Sequence, residues 1–124
     1  MNQSKNVLVI EDEELIRESL QLALESEGYK VQTAQNGAEG LDLLKKQKSP
    51  CVILLDLMMP VMNGWQFLDE VSKRNDTSEI PIVVVSAFAG ERPLKVKYTL
   101  SKPLDLDDLF HAVEECCGEG HCKA

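Results

Sequence analysis

At 124 residues the chain is long enough for one ordinary domain and too short for two. A formal net charge of −8 argues against bulk attraction to nucleic acid or to an anionic membrane surface. No run approaches the ~20 apolar residues of a membrane span, and the N-terminal Met-Asn-Gln-Ser-Lys lacks the apolar stretch of a signal peptide, so the chain reads as a soluble, cytoplasmic protein. A strand is expected near Asn6 to Glu11, built on the apolar run Val7-Leu8-Val9-Ile10. A helix follows, with Leu15, Ile16, Ser19, Leu20 and Ala23 read as one face. Gly28 ends it, as a glycine just past a helix often does.

Tyr29 to Ala34 reads as the second strand. Asn36 caps the next helix, with Glu39 three residues on as its reciprocal partner. Leu41 and Leu44 give that helix its apolar side. Ser49-Pro50 breaks the chain before the third strand, Cys51 to Asp56, which is apolar at every position before the aspartate. Continuous apolarity marks a central parallel strand, buried on both faces. After a loop over Leu57 to Met62, Asn63 and Gln66 form a capping box for a helix whose bulk comes from Trp65, Phe67, Leu68 and Val71. Ile80 to Val85 is the fourth strand, followed by Ser86 and Ala87.

From Phe88 to Lys95 no helical period survives, because Gly90 and Pro93 interrupt it. Val96, Tyr98 and Leu100 alternate with polar residues, which predicts an edge strand with one wet face. Asp105 caps a last helix carrying Leu106, Leu109, Phe110 and Val113 on one side. Residues 118–124 read as a loose tail. Alternating strands and helices without repeat or linker predict a single α/β domain, a doubly wound parallel sheet.

Four cysteines are present, Cys51, Cys116, Cys117 and Cys122. Their spacing is neither a disulfide framework nor a standard zinc pattern. Cys51, Cys116 and Cys117 are read as small core residues rather than as a metal or redox group with His121 and Cys122. A chain of this size needs no disulfide to fold. His111 is expected in solvent.

Three features sit where strands would end: Glu11-Asp12, Asp56 and Lys102-Pro103. Ligands of open α/β sheets bind beyond the carboxyl ends of the strands. A parallel sheet would therefore gather three carboxylates and one ammonium into one shallow crevice, suited to Mg²⁺ and a phosphoryl group. Two carboxylates ~4 Å apart repel by about 4 kcal/mol at an effective dielectric near 20. Such a group needs a counter-charge, and the metal-free site is expected to be strained.

Val9-Ile10-Glu11-Asp12-Glu13, Leu55-Asp56-Leu57-Met58-Met59-Pro60 with Gly64, Val85-Ser86-Ala87 and Lys102-Pro103, in that order and spacing, resemble the receiver domain of bacterial response regulators over nearly the whole chain. The resemblance implies a flavodoxin-like sheet of five strands in the order 2-1-3-4-5. It implies Asp56 as phosphoacceptor, Asp12 and Asp56 as Mg²⁺ ligands, a backbone carbonyl from Met58, and Glu11 acting through a water. Glu11 replaces the family's commoner aspartate. Lys102, before a cis proline in the family, would pair with Asp56 and then with a phosphoryl oxygen, and Ser86 would supply the switch hydroxyl. The implied donor is a sensor histidine kinase or a histidine phosphotransfer protein, and the implied output is an unknown downstream protein, with no direct nucleic-acid or membrane contact.

Two departures stand out. Thr99 occupies the position where the family has a mobile aromatic ring, and Tyr98, its neighbour, faces the other way. The interval from Ser86 to Lys102 is short, which predicts a shortened or irregular fourth helix. The leading expectation is a stand-alone phospho-switch that promotes its own phosphorylation and dephosphorylation without being a turnover enzyme. A receiver-like binding module that does not use phosphate is the alternative. A magnesium-dependent phosphohydrolase is disfavoured because Met58 stands where a second aspartate would act as general acid.

Overall fold

The computed structural model describes residues 5–46, 50–74, 79–86, 96, 98–102 and 104–117. Five parallel strands form one sheet in the order β2-β1-β3-β4-β5. They are β1 (Asn6–Ile10), β2 (Lys30–Ala34), β3 (Val52–Asp56), β4 (Ile82–Ser86) and β5 (Tyr98–Ser101). The described helices are α1 (Glu14–Ser26), α2 (Gly37–Lys46), α3 (Gly64–Ser72) and α4 (Leu106–Cys117). The expected flavodoxin-like order is present. The expected irregular fourth helix falls on residues 87–95, and the loose tail on 118–124, both outside the described residues.

Alternation along the strands builds two cores. Val7 and Val9, Val52 and Leu54, and Val83 face one side, where Leu20 and Leu24 of α1 and Leu109, Ala112 and Val113 of α4 cover them. Leu8 and Ile10, Ile53 and Leu55, and Ile82 and Val84 face the other side, under Leu44 of α2 and Phe67 and Val71 of α3. Every residue of β3 is buried. Each fully buried Val, Leu, Ile or Phe contributes roughly 1.5–3 kcal/mol, so this central strand is the sheet's most strongly held element.

Helix starts follow their caps. The Asn63–Gln66 box is complete, with both bonds at 2.9 Å. Asp105 Oδ1 accepts from the Asp107 N–H at 2.8 Å. Asn36 Oδ1 accepts from the Glu39 N–H, but Glu39 returns its bond to the Gln35 N–H rather than to Asn36. Gly28 leaves α1 at φ +96°, where a side chain is disfavoured.

Several helix faces differ from expectation. Leu15 is 77 % exposed and Ser19 also faces out, so the core stripe of α1 is Ile16, Leu20 and Leu24. Trp65 and Leu106 are exposed as well; Phe67 with Val71, and Leu109 with Val113, do the packing. Val96 packs on the α2–α3 side while Tyr98 and Leu100 pack on the α1–α4 side, because the regular strand begins only at Tyr98. The two other edge positions expected to meet water, Lys95 and Lys97, lie outside the described residues, while Thr99 is exposed.

The cysteine reading also needs correction. Cys51 and Cys117 form a disulfide, with Cα atoms 5.3 Å apart and a sequence separation of 66. Packing of α4 against the base of β3 creates this proximity, and linear spacing carries no sign of it. Both residues do belong to the α1–α4 core, as does Cys116. In the chain-entropy view, closing a loop of that length adds about 4 kcal/mol. His121 and Cys122 lie outside the described residues. His111 is exposed, 4.0 Å from Glu115.

The loop after β3 contains a γ-turn. The Met62 N–H donates to the Pro60 carbonyl at 2.7 Å, with Val61 between them at φ +66°. A β-branched residue there is strained by roughly 1–3 kcal/mol. Val61 is 79 % exposed, so little packing offsets the strain. Val61→Gly should therefore raise the denaturant-unfolding free energy by about 1 kcal/mol, the relief less the extra freedom glycine gives the unfolded chain. A lower midpoint for this variant would show that the side chain makes a stabilising contact.

Candidate functional site

Strand register places the acidic groups. Ile10 pairs with Leu55 and Asp56 with Val85, so Glu11 and Asp56 emerge side by side at the carboxyl ends of β1 and β3. Ser101 pairs with Ser86, which puts Lys102 just past the same edge on β5. The Glu11 N–H donates to the Ala34 carbonyl at 3.0 Å, continuing the β1–β2 ladder one residue into the site.

Glu11, Asp12 and Asp56 each offer a carboxylate oxygen, and these oxygens lie within 4.8 Å of one another. Glu11 and Asp56 are buried, at 2 % and 5 % exposure, whereas Asp12 is open to solvent. Lys102 Nζ donates to Glu11 Oε1 at 3.3 Å and to Asp56 Oδ1 at 3.4 Å. The pairing with Asp56 was expected. The pairing with Glu11 was not. The second Glu11 oxygen accepts from the Glu13 N–H at 3.2 Å. Asp56 accepts from the Met58 N–H. The Ser86 backbone lies at the same edge; its side chain, Ala87 and Pro103 lie outside the described residues.

Three carboxylates against one ammonium leave two negative charges. Burial raises the Glu11 pKa above its ordinary value and the Asp56 charge raises it further, against the Glu13 N–H and Lys102. Burial also raises Asp56, opposed first by Lys102 and then by the Met58 N–H, with Asp12 pushing up again. Burial alone would lower the Lys102 ammonium, but the two carboxylates outweigh it and hold its pKa above the ordinary value. At 4.8 Å two such carboxylates repel by about 3–4 kcal/mol at an effective dielectric near 20. An oxygen-rich, half-open site with this charge suits a hard divalent ion that keeps several of its waters.

The family model of the response regulator receiver domain matches residues 7–114. The chain belongs to this family. Protein PilH of Pseudomonas aeruginosa is 32% identical over 114 residues, covering 86% of this chain and 93% of that protein. Transcriptional regulatory protein GlrR of Escherichia coli is 36% identical over 117 residues, covering 89% of this chain but 26% of GlrR. Response regulator TrrA of Thermotoga maritima, solved in complex with Mg²⁺–BeF, superimposes with a TM-score of 0.81 at 28% identity, covering 90% of this chain and 98% of TrrA. Receiver domains are signalling domains of two-component systems rather than turnover enzymes of the ordinary kind, and they bind Mg²⁺ at an acidic pocket.

Arg17 is a site residue that the sequence reading of this receiver missed. Its Nη1 donates to the Glu11 carbonyl at 3.0 Å and to the Asp12 carbonyl at 3.4 Å. It thereby clamps the backbone that presents both acidic side chains. An arginine one turn into the helix after the acidic pair was the available signal. Gly64 fixes the other wall by close approach. A Cβ there would meet Leu57 Cα at 2.7 Å and the Asp56 carbonyl oxygen at 2.8 Å. Its N–H donates to the Leu57 carbonyl at 2.9 Å.

The directions of these shifts fix a pH dependence. Carboxyl pKa values raised on folding give stability that is fully present below their ordinary values of 4.5 and 3.8 and is lost as pH rises through the folded values. The raised Lys102 contributes stability below its ordinary 10.5 that is lost only in strong alkali. Removing one ionised carboxylate should therefore help the metal-free protein at neutral pH. Asp56→Asn in chelator should raise the thermal midpoint by a few degrees and flatten its decline from the carboxylate range to neutrality. A lower midpoint at neutral pH would mean that the Lys102–Asp56 pair outweighs the repulsion.

Proposed function

We propose that this protein is a stand-alone, cytoplasmic receiver that accepts a phosphoryl group on Asp56 in the presence of Mg²⁺ and signals through a change of surface. The observation that carries this reading is the convergence of Glu11, Asp12, Asp56 and Lys102, from three separate chain segments, at one edge of the sheet. The donor would be a sensor histidine kinase or a histidine phosphotransfer protein, the donors used by the family. A stand-alone arrangement is supported by PilH, nearly all of whose length this chain spans. Compatibility with a soluble setting comes from the described helices, none of which is long and apolar enough to cross a membrane.

In this reading Asp12, Asp56 and the Met58 backbone carbonyl would hold the ion, and Glu11 would act through a water. When bound, Mg²⁺ neutralises charge between the carboxylate and the incoming phosphoryl oxygens. The chain does the rest. Burial keeps bulk water from most of the Asp56 carboxylate. Lys102 is released from Asp56 to a phosphoryl oxygen while Glu11 retains a hold on the ammonium. Ser86 donates to another phosphoryl oxygen, a bond to a charged group worth roughly 1.5–3 kcal/mol. Arg17 holds the carbonyls behind the acidic pair, a support whose loss around metal sites commonly costs ~10–100-fold in affinity.

Thr99 favours a second reading. It is exposed, and it stands where the family's aromatic ring would move. On that reading the chain is a receiver-like binding module that does not depend on phosphate.

Incubation with Mg²⁺ and acetyl phosphate separates the two. Intact mass should show one phosphoryl group on the wild type, none on Asp56→Asn, and none when chelator is added. Lys102→Ala should slow the reaction at least about tenfold, as loss of a charge that meets the transferring group does. No adduct from acetyl phosphate or from a histidine kinase would leave the binding module as the function. Separately, Arg17→Met should weaken Mg²⁺ binding about tenfold by calorimetry, with an unchanged circular dichroism spectrum. Unaltered affinity would remove Arg17 from the site.

A further inference from the structure

The Cys51–Cys117 linkage lies outside the phosphoryl site and serves none of the roles above. Cys51 stands immediately before β3, whose other end carries Asp56 about 17 Å away. Its backbone N–H donates to the Asn6 carbonyl at 2.8 Å, so it is fixed to the start of β1. Cys117 is the last residue of α4. The disulfide thus fastens the final turn of that helix to the base of the central strand, with Cα atoms 5.3 Å apart. We propose that Cys51–Cys117 is a reversible thiol–disulfide site, closed by oxidation and opened by cellular dithiols, that sets how firmly the end of α4 is held on the sheet.

The two residues differ in burial. Cys117 is 9 % exposed, whereas Cys51 is only partly buried. Access and leaving group both govern thiol–disulfide exchange. A thiolate of glutathione or of a thioredoxin-type protein attacks the sulfur of Cys51, the less buried residue of the two. The S–S bond breaks, a mixed disulfide forms on Cys51, and Cys117 leaves as a thiolate that takes up a proton. A second thiol of the reductant then displaces Cys51, so two electrons and two protons enter the protein and the reductant leaves as its own disulfide. In the forward direction hydrogen peroxide oxidises one cysteine thiolate to a sulfenic acid, and the other thiol displaces water from it. In the reducing cytoplasm of the proposed function, disulfides are usually transient and redox-sensing rather than structural; the inference rests on that setting.

The reduced state remains compatible with the fold. Leu109, Ala112, Val113 and Cys116 are buried on the α1–α4 core, and this apolar packing holds α4 on the sheet independently of the S–S bond. Loss of the link therefore acts first on the last turn of α4, where a helix frays most readily.

The test uses the full chain, oxidised with hydrogen peroxide or reduced with dithiothreitol. Alkylation in denaturant followed by peptide mapping should find Cys51 joined to Cys117 in the oxidised sample only. Hydrogen exchange across residues 112–117 should be about tenfold slower in the oxidised protein than in the reduced protein or in Cys51→Ser. Cys116→Ala should keep the linkage and its protection. Incubation with reduced glutathione or thioredoxin should open the bond, and peroxide should restore it. A linkage to another cysteine, no linkage, equal exchange in both states, or a bond that resists both reductants would each overturn the proposal. These readouts need no phosphorylation, so they stand apart from the fate of Asp56.

Discussion

The ammonium of Lys102 is shared between two buried carboxylates, and the site depends on that arrangement. Glu11 and Asp56 both sit at the ends of buried strands, where desolvation opposes ionisation. Lys102 offsets part of this cost by meeting one oxygen of each, at 3.3 and 3.4 Å. With Asp12 nearby it cannot balance the whole charge. The resting crevice is therefore a place where positive charge is wanted, in keeping with a family that binds Mg²⁺ at an acidic pocket. The Glu11 side chain reaches the ammonium directly. Any anionic group arriving on Asp56 has to compete with Glu11 for the same lysine.

A rigid scaffold makes such sharing possible. Strands β1, β3 and β4 are covered on both faces, so their ends cannot drift without disturbing a core. Gly64 lets α3 seat its first residue against the Asp56–Leu57 backbone, and the Asn63–Gln66 box fixes where that helix begins. Arg17 does the corresponding work on the β1 side by holding the carbonyls of Glu11 and Asp12. Capping and close approach thus replace a long loop with short connections, which holds the acidic groups near one another despite their repulsion.

Strands β1, β3 and β4 are legible in the sequence because each is a compact apolar run, β5 is legible through its alternation, and the sheet order through resemblance of the motifs at the strand ends. Helix α1 is legible as well, with Ile16 and Leu20 on its buried stripe as expected, but Leu15 and Ser19 face out and Leu24 completes the stripe. Leu15 and Leu20 can both be fitted to a helical face, and only the position of the sheet shows that Leu20 with Leu24 is the buried pair. β5 misled similarly, because alternation from Val96 onward assumed a regular strand that begins two residues later. Glu11, Asp12, Asp56 and Lys102 were legible as a group because strand ends collect ligands. The Glu11–Lys102 contact, the Arg17 clamp and the Cys51–Cys117 link were not. Each depends on side-chain reach or on packing between segments distant in sequence, which no local pattern encodes.

How a change at the site could leave it is constrained by the chain itself. Thr99 has no ring to swing, and Tyr98 is turned to the opposite face, where it packs on the α1–α4 core and its hydroxyl bonds Glu115. Two residues, position 103 and Leu104, separate Lys102 from Asp105, which caps the first turn of α4. Tyr98 and the disulfide brace the far turns of the same helix. On the proposed function, movement of the near end against that brace would tilt the helix rather than translate it.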